Sequence, residues 1–243
     1  MKKALINATI YKSEKQAILI EDNKIQLVGS NEDVLQQMSD TDEVVDLNGM
    51  FVLPGFVDSH MHLAELGFYL SCVQLATCTS LEDMKERLLA RLATLKQGQW
   101  LIARGYNEET FTDQKVKPTK DFLDAISKDV PICVTRSCGH SMSCNTKALQ
   151  LASMNDSKDG IVEEMDINVV HEAWPKVDES TLIDYIQKGI ACANAFGVTT
   201  VGSDDFLSIC DSYELPLNTF EKLSYQENMN LRVNEQCEFN NVE

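Results

Sequence analysis

Two histidines separated by a single residue close the segment 53–63, which reads LPGFVDSHMHL. On a β-strand His60 and His62 lie on the same face, because side chains alternate along extended backbone. On a helix they would point about 200° apart. Two imidazoles at one strand end can bind a single divalent cation such as zinc. The spacing therefore predicts part of a metal site, with an ordinary solvent-facing or hydrogen-bonded pair as the alternative.

The residues that precede this pair favour a chemical role over chance. An apolar strand at 50–53 is interrupted by Pro54-Gly55 and resumes at Phe56-Val57. Asp58 shares the parity of the two histidines, so a polar face emerges on a strand that would otherwise be wholly apolar. We expect Asp58 to support the strand end or to orient a histidine rather than to bind metal.

Composition limits the classes of function that fit this chain. It has 243 residues, 44% of them hydrophobic, which allows a substantial core in one or two domains. Its 38 acidic and 21 basic residues give a formal net charge of −17, which argues against nucleic acid or an anionic membrane as a partner. No apolar run is long enough for a membrane span or a signal-peptide core. The eight cysteines form no Cys-x-x-Cys pair, which favours reduced thiols and a cytoplasmic location.

Strand and helix patterns alternate after a β-rich start. Short apolar runs between turn residues predict strands at 4–11, 17–21, 25–28, 43–46, 132–135, 198–202 and 231–237. Helices are predicted after Ser30, where Asp33 completes a capping box, and by apolar periodicity at 80–96, after Pro118-Thr119 and at 180–196. Such alternation indicates a parallel sheet or barrel. A complete eight-stranded barrel takes about 250 residues, so we expect an α/β chain with an incomplete one.

Several blocks of the sequence resemble, in order, the amidohydrolase superfamily, in particular its YtcJ-like branch (amidohydrolase family 3), which includes N-substituted formamide deformylases. These blocks are residues 21–25, 53–62, 104–108, 118–119, 136–141, 145–149 and 197–201. The resemblance implies an incomplete, distorted (β/α)8 barrel of the TIM type in residues 54–243, with a helical excursion at about 64–196. It also implies that residues 1–53 form the N-terminal half of a composite β-sandwich.

The same resemblance implies a hydrolase that cleaves an amide or related C–N bond of a small-molecule substrate through metal-activated water. His60 and His62 would be ligands of a divalent metal, and zinc is the expected ion because imidazole nitrogen is one of its usual donors. Family members are much longer and draw further ligands, and the aspartate that acts as general base, from later strands. This chain would then be an N-terminal portion, with its catalytic base beyond residue 243.

Four more residues are candidates for substrate binding through the resemblance, and each has a structural alternative. His140 belongs to a block on the substrate side, or is a loop histidine bonded to nearby carbonyls. Arg136 clamps a carboxylate or carbonyl, or is a structural arginine. Glu163 faces the cleft after a glycine turn, or lies on a solvated acidic surface. Tyr106 lines an apolar pocket, or belongs to the core.

Two alternatives to a catalytic metal site in one chain stay open. The chain is a non-catalytic truncated fragment or interaction module whose histidines bind metal weakly or not at all. Otherwise it is a small hydrolase completed by a homodimer that shares ligands. His171 matches no ligand motif, and the spacing of Cys138, His140 and Cys144 fits no common zinc pattern.

Overall fold

The computed structural model describes residues 1–154, 157, 159–206, 209–210, 212–225 and 229–236. These residues form a mixed α/β fold that divides into two compact units, Met1–Phe56 and Val57–Glu243. Among the residues that the structure describes, none of the helices combines the length and the apolar character needed to cross a bilayer.

The first unit is a small β structure with one short helix. Its elements are β1 (Lys2–Ile6), β2 (Thr9–Ile10), β3 (Ala17–Glu21), β4 (Lys24–Gly29), α1 (Asn31–Leu35), β5 (Glu43–Asp46) and β6 (Phe51–Val52). Four strands form one sheet in the order β4-β3-β1-β5, and β2 pairs with β6. Ser30 and Asp33 form the capping box predicted for α1. The single strand predicted at 4–11 was wrong, because Asn7 adopts a left-handed φ of 54° and separates β1 from β2.

The second unit contains two further sheets and most of the helices. Its elements are β7 (Phe56–Met61), α2 (Leu63–Ser71), β8 (Val73–Gln74), α3 (Leu81–Leu92), β9 (Leu101–Tyr106), α4 (Lys120–Asp124), β10 (Ile132–Arg136), β11 (Ser141–Cys144), α5 (Thr146–Leu151), β12 (Ile161–Glu163), α6 (Asp166–Glu172), α7 (Glu179–Ala195), β13 (Val198–Ser203), α8 (Glu214–Ser224) and β14 (Arg232–Glu235). The helices predicted at 80–96 and 180–196 correspond to α3 and α7. Cys237, the last residue of the strand predicted at 231–237, lies outside the described residues.

A three-stranded sheet carries the His-x-His segment, in the order β14-β13-β7. β13 and β14 are parallel. The C-terminal ends of β7 and β13 lie together, since the backbone N–H of Asp204 donates to the carbonyl of Met61 at 3.0 Å. Helices α2, α7 and α8 contribute to the apolar cluster beside this sheet. The chain therefore places the residues that follow β7, β13 and β14 along one edge.

Helices α2 and α7 pack with their backbones in close contact. A Cβ atom on Gly67 of α2 would lie 1.8 Å from the carbonyl oxygen of Tyr185, and one on Gly189 of α7 would lie 2.4 Å from that of Leu63. Only glycine leaves room for such an approach. The pair of glycines holds the first turn of α2 against α7.

The segment 64–196, expected to be a helical excursion, also contains a five-stranded sheet in the order β12-β11-β10-β9-β8. β8, β9 and β10 are parallel to one another, and β11 and β12 continue the sheet in antiparallel fashion. β8 has two residues and β12 has three, which is too short for a periodic pattern. This sheet and α3 enclose a separate apolar core that includes Leu88, Leu101 and Val134.

Candidate functional site

The structure brings His60 and His62 together at the end of β7. His60 lies within the strand, and His62 follows it as the residue immediately before α2. Their ring centroids are 5.5 Å apart and the ring planes are inclined by 78°. Asp58 accepts a hydrogen bond from the backbone N–H of His60 at 3.1 Å, which supports the strand end. The two imidazoles are thus close enough for their nitrogens to converge on one ion at Zn–N distances of about 2.0–2.1 Å.

Both rings are held through Nδ1. Nδ1 of His62 bonds to the backbone carbonyl oxygen of Asp204, and Nδ1 of His60 lies 3.4 Å from Oε1 of Gln236. Because a carbonyl oxygen only accepts hydrogen bonds, the proton of a neutral His62 is on Nδ1. Its Nε2 lone pair is then available to a metal, and the carbonyl serves as the outer partner that fixes the ring.

The two imidazoles are suitable donors for a divalent metal, but they supply only two ligands. Both donors are imidazole nitrogens, and both rings are oriented by an oxygen acceptor. Catalytic zinc typically has three protein ligands. Within the described ranges no cluster of three or more His, Cys, Asp or Glu side chains is arranged to hold an ion. The sequence-based prediction of part of a metal site agrees with this arrangement and stays a prediction.

Two buried side chains at the C-terminal end of β13 hold the start of α2. The backbone N–H of Leu63 donates to Oγ of Ser203 at 2.9 Å, and that of Ala64 donates to Oδ1 of Asp205 at 2.8 Å. The Ser203 hydroxyl in turn donates to Oδ2 of Asp205 at 2.6 Å. Burial raises the pKa of Asp205, although its hydrogen bonds from Ser203 and from the backbone oppose the rise. Both side chains are fully buried.

A further carboxyl group lies at the end of β14. Both carboxylate oxygens of Glu235 are buried, and neither makes a hydrogen bond of normal geometry with the part of the chain that the structure describes. Burial and the charge of Asp205 raise the pKa of Glu235 to about 8, against a smaller opposing effect from the backbone N–H of Asp205. The strand ends therefore bring two buried acids close to the histidine pair.

Sequence reasoning did not single out Ser203, Glu235 or Gln236. Asp204 and Asp205 lie just beyond the strand predicted at 198–202, where turn capping explains them as well as a functional role does. Their place in the sequence could have identified residues 203–205, 235 and 236. They lie at the C-terminal ends of parallel strands, and residues at such positions line the sites of barrel enzymes. Their partners on β7 and α2 are about 140 positions earlier or more, so the pairing itself is not visible in the sequence.

The four residues predicted to bind substrate lie along the five-stranded sheet. Tyr106 ends β9 and pairs in register with Arg136 of β10, and Glu163 of β12 pairs with Ser141 of β11. His140 lies in the turn between β10 and β11. Across the described ranges, no hydrogen bond or ion pair joins these four residues to His60 or His62. Their assignment to a substrate site stays a prediction.

Each of the four has a partner or an environment that also explains its presence. Nε of Arg136 donates to the carboxylate of Glu108, and the Glu163 carboxylate accepts from Nζ of Lys117 at 2.6 Å, which lowers the pKa of Glu163. Tyr106 is fully buried within the apolar core, and burial raises the pKa of its hydroxyl to about 12. His140 is exposed.

His140 pairs with an acidic neighbour at the protein surface. Its Nδ1 lies 3.1 Å from Oε2 of Glu164, and this carboxylate raises the pKa of His140. His171, which matched no ligand motif, instead stacks on Trp174 with ring centroids 4.3 Å apart, and burial lowers its pKa. His60 and His62 thus have surroundings unlike those of the other two histidines.

A cavity of about 450 Å³ opens between the starts of α3 and α4. Lys117, the partner of Glu163, is one of its lining residues. The others include Leu81, Asp113, Val116, Pro118 and Phe122. This mixture of apolar and charged groups lies apart from the histidine pair, none of whose residues lines it.

Comparison with known proteins identifies the family. A sequence profile of the amidohydrolase family matches residues 43–243. The chain belongs to the amidohydrolase family. YtcJ of Bacillus subtilis strain 168, described as an amidohydrolase, is 28% identical over 224 residues, which cover 85% of this chain and 42% of YtcJ. The N-substituted formamide deformylase of Arthrobacter pascens is 27% identical over 141 residues, covering 57% of this chain and 26% of the deformylase.

The fold of this amidohydrolase also matches that of a solved relative. The crystal structure of a metal-dependent hydrolase from Pyrococcus horikoshii aligns with a TM-score of 0.73 and 26% identity, over 97% of this chain and 48% of that one. This amidohydrolase chain therefore spans less than half the length of each of these relatives. The predicted resemblance to the YtcJ-like branch is confirmed.

Proposed function

We propose that this amidohydrolase acts in a metal-dependent hydrolysis of an amide or related C–N bond, with His60 and His62 as two ligands of a divalent metal, zinc. The observation that carries the proposal is the orientation of the two rings. Each Nδ1 faces an oxygen acceptor, which directs the other nitrogen, Nε2, away from the protein's own hydrogen bonds. Family membership and the metal-dependent hydrolase of similar fold support it.

The chemistry that such a metal supplies when bound is activation of water and polarisation of the substrate carbonyl. The described residues contribute the binding and orientation of this centre. His62 is held by the Asp204 carbonyl and His60 by Gln236. A third ligand and the general base would come from outside the described residues, since the chain spans only 42% of YtcJ.

The fold that goes with this proposal is the first part of a (β/α)8 barrel preceded by half of a β-sandwich. Strands β7, β13 and β14 lie side by side in chain order, with α8 between the last two, as successive barrel strands would. The substrate would be a small molecule, and the free cysteines among the described residues support a cytoplasmic location.

Zinc titration of the purified 243-residue chain tests the metal site. The chain has four histidines, so a matched pair of variants is available: His60→Ala/His62→Ala and, as control, His140→Ala/His171→Ala. We expect wild type and control to bind zinc after desalting against a weak chelator, and the first variant to lose it. Equal zinc binding by all three proteins, or equal loss in both variants, would contradict the proposal. Background zinc in all three would show that this chain alone does not hold the metal, and would favour a non-catalytic fragment.

A substrate screen follows if zinc binding depends on His60 and His62. N-substituted formamides are the first compounds to test, because one of the relatives is named as a deformylase of these amides. Release of amine above the rate of the His60→Ala/His62→Ala variant would support C–N hydrolysis. Equal rates for the two proteins across a panel of amides, ureas and cyclic imides would contradict catalysis by this chain.

A further inference from the structure

We propose that Ser203 and Asp205 are positioning residues for His62, which they hold in place by capping the helix that starts directly after it. The proposal deepens the proposed function, on which it rests for the role of His62 as a ligand. It concerns how a histidine between two elements, β7 and α2, obtains a fixed backbone and a fixed ring.

Helix α2 lacks a local cap. His62 occupies the N-cap position, and its side chain makes no capping hydrogen bond. The first N–H groups of a helix have no partner within the helix, so they need acceptors from elsewhere. For Leu63 and Ala64 the acceptors are Ser203 and Asp205, which lie 140 and 141 positions later in the sequence.

The hydrogen bonds of this cap have a defined direction. A serine hydroxyl has one proton, and that of Ser203 goes to Oδ2 of Asp205. The lone pairs of Ser203 Oγ then accept the Leu63 N–H, while Oδ1 of Asp205 accepts the Ala64 N–H. Both side chains are fully buried, so water does not replace either acceptor when it is removed.

The residue between the two capping residues connects the cap to the ring of His62. Asp204 lies between the two capping residues, and its carbonyl oxygen accepts the hydrogen bond of His62 Nδ1. The backbone N–H of Asp204 donates to the carbonyl of Met61, the residue before His62. Three consecutive residues therefore hold the backbone on both sides of His62 and its ring as well.

A matched control separates this role from general stability. Asn145 is also a fully buried capping residue: its Oδ1 accepts from the backbone N–H groups of Ile132 and Ala148. It lies in the five-stranded part of the unit and contacts neither histidine of the pair. Asn145→Ala should lower the melting temperature as Ser203→Ala and Asp205→Ala do, without changing the state of His62.

The deciding experiment is a long-range ¹H–¹⁵N spectrum of the metal-free chain labelled at histidine nitrogens, with His62 assigned from a His62→Ala variant. We expect wild type and Asn145→Ala to show neutral His62 as a single tautomer protonated on Nδ1. Ser203→Ala and Asp205→Ala should show a mixture of both tautomers. A single Nδ1 tautomer in both of these variants, or a mixture in Asn145→Ala as well, would overturn the proposal.

Titration with Co²⁺ alone, followed by its visible absorption, gives the second readout. Loss of an outer partner of a metal ligand typically weakens metal binding by about 10–100-fold. We expect a weakening of about tenfold for Ser203→Ala and Asp205→Ala and none for Asn145→Ala. If wild type itself binds no Co²⁺, the proposed metal site fails, while the tautomer of His62 still decides whether Ser203 and Asp205 position it.

Discussion

Arg136 holds the carboxylate of Glu108 through one nitrogen that faces both oxygens, with Nε at 3.0 Å from Oε1 and 2.9 Å from Oε2. Burial alone would raise the pKa of Glu108, but the hydrogen bonds and the charge of Arg136 reverse this effect and keep it below its usual value. Glu108 is one of the few buried charged residues of the described chain. Arg136 therefore already has a partner, and a substrate would have to compete with it.

Replacement of Arg136 by methionine should reduce stability, because Glu108 is then left buried without its counter-charge. We expect a lower midpoint of urea unfolding for Arg136→Met. The double variant Arg136→Met/Glu108→Gln should regain much of the loss, since it removes the unpaired charge. Unchanged stability of Arg136→Met, together with weaker substrate binding, would instead support the sequence-based assignment of Arg136 to the substrate site.

The parts of the fold that were predictable from sequence are those encoded by neighbouring residues. Ser30 and Asp33 cap α1 within four positions, and the apolar period of α7 runs over 17 residues. β8 and β12 were not predicted, because two or three residues are too few to show a periodic pattern. These strands are defined by their pairing with neighbouring strands. Their sheet depends on tertiary contacts, which the local sequence pattern does not show.

The candidate site also has a part that local sequence predicts and a part that it does not. His60 and His62 are two positions apart, so strand alternation alone predicts that they lie together. The residues that hold them, Asp204 and Gln236, are 142 and 176 positions away. Only the folded chain shows that their oxygens face the two Nδ1 atoms.

Cys138 should be the most reactive of the described cysteines. It is exposed, and the hydrogen bond from Arg136, the backbone N–H of His140 and the charges of both residues lower its pKa. Burial raises the pKa of Cys72 to about 12 and that of Cys133 well above its usual range. Because the thiolate is the nucleophile, iodoacetamide should label Cys138 first.

Peptide mapping by mass spectrometry after short labelling checks this order, and it reports each cysteine separately. Arg136→Met should move the pH midpoint of Cys138 labelling upward, because it removes the largest of the interactions that favour the thiolate. Labelling of Cys72 or Cys133 at the rate of Cys138 would show that these thiols are not buried as described.

Glu235 should make the stability of the chain fall as the pH rises. Its pKa is 4.5 as an ordinary glutamate and about 8 in the folded protein, so the folded state holds a proton that the unfolded state has released between these values. The stabilising effect of that proton is complete below about pH 4.5 and is lost as the pH passes through about 8. Asp204 and Asp205 face the same carboxyl group and add to the effect.

Urea unfolding at several pH values between about 5 and 9 measures this dependence for wild type, Glu235→Gln and the exposed control Glu86→Gln. Wild type and the control should lose stability with rising pH, and Glu235→Gln should show a flatter profile. Equal slopes for all three proteins would mean that the Glu235 carboxyl group titrates as it does in water.

Gly67→Ala offers a test of the α2–α7 contact in which two effects have opposite signs. In a helix, alanine is favoured over glycine by roughly 0.5–1 kcal/mol, so propensity alone predicts a more stable protein. The new Cβ atom would, however, lie 1.8 Å from the carbonyl oxygen of Tyr185, a backbone atom that cannot rotate away. Forced separation of packed elements typically costs about 1–3 kcal/mol, and the steric effect should win.

We therefore expect Gly67→Ala to lower the free energy of unfolding by about 1–2 kcal/mol in urea, the balance of these two effects. Gly29→Ala is the comparison with a milder contact, because its Cβ atom would lie 3.3 Å from Cβ of Asp33, and it should cost less. Since α2 begins directly after His62, separation of α2 from α7 should also disturb the Nδ1 tautomer of that histidine. A Gly67→Ala protein more stable than wild type would show that the two helices move apart at little cost, and that their contact does not hold His62.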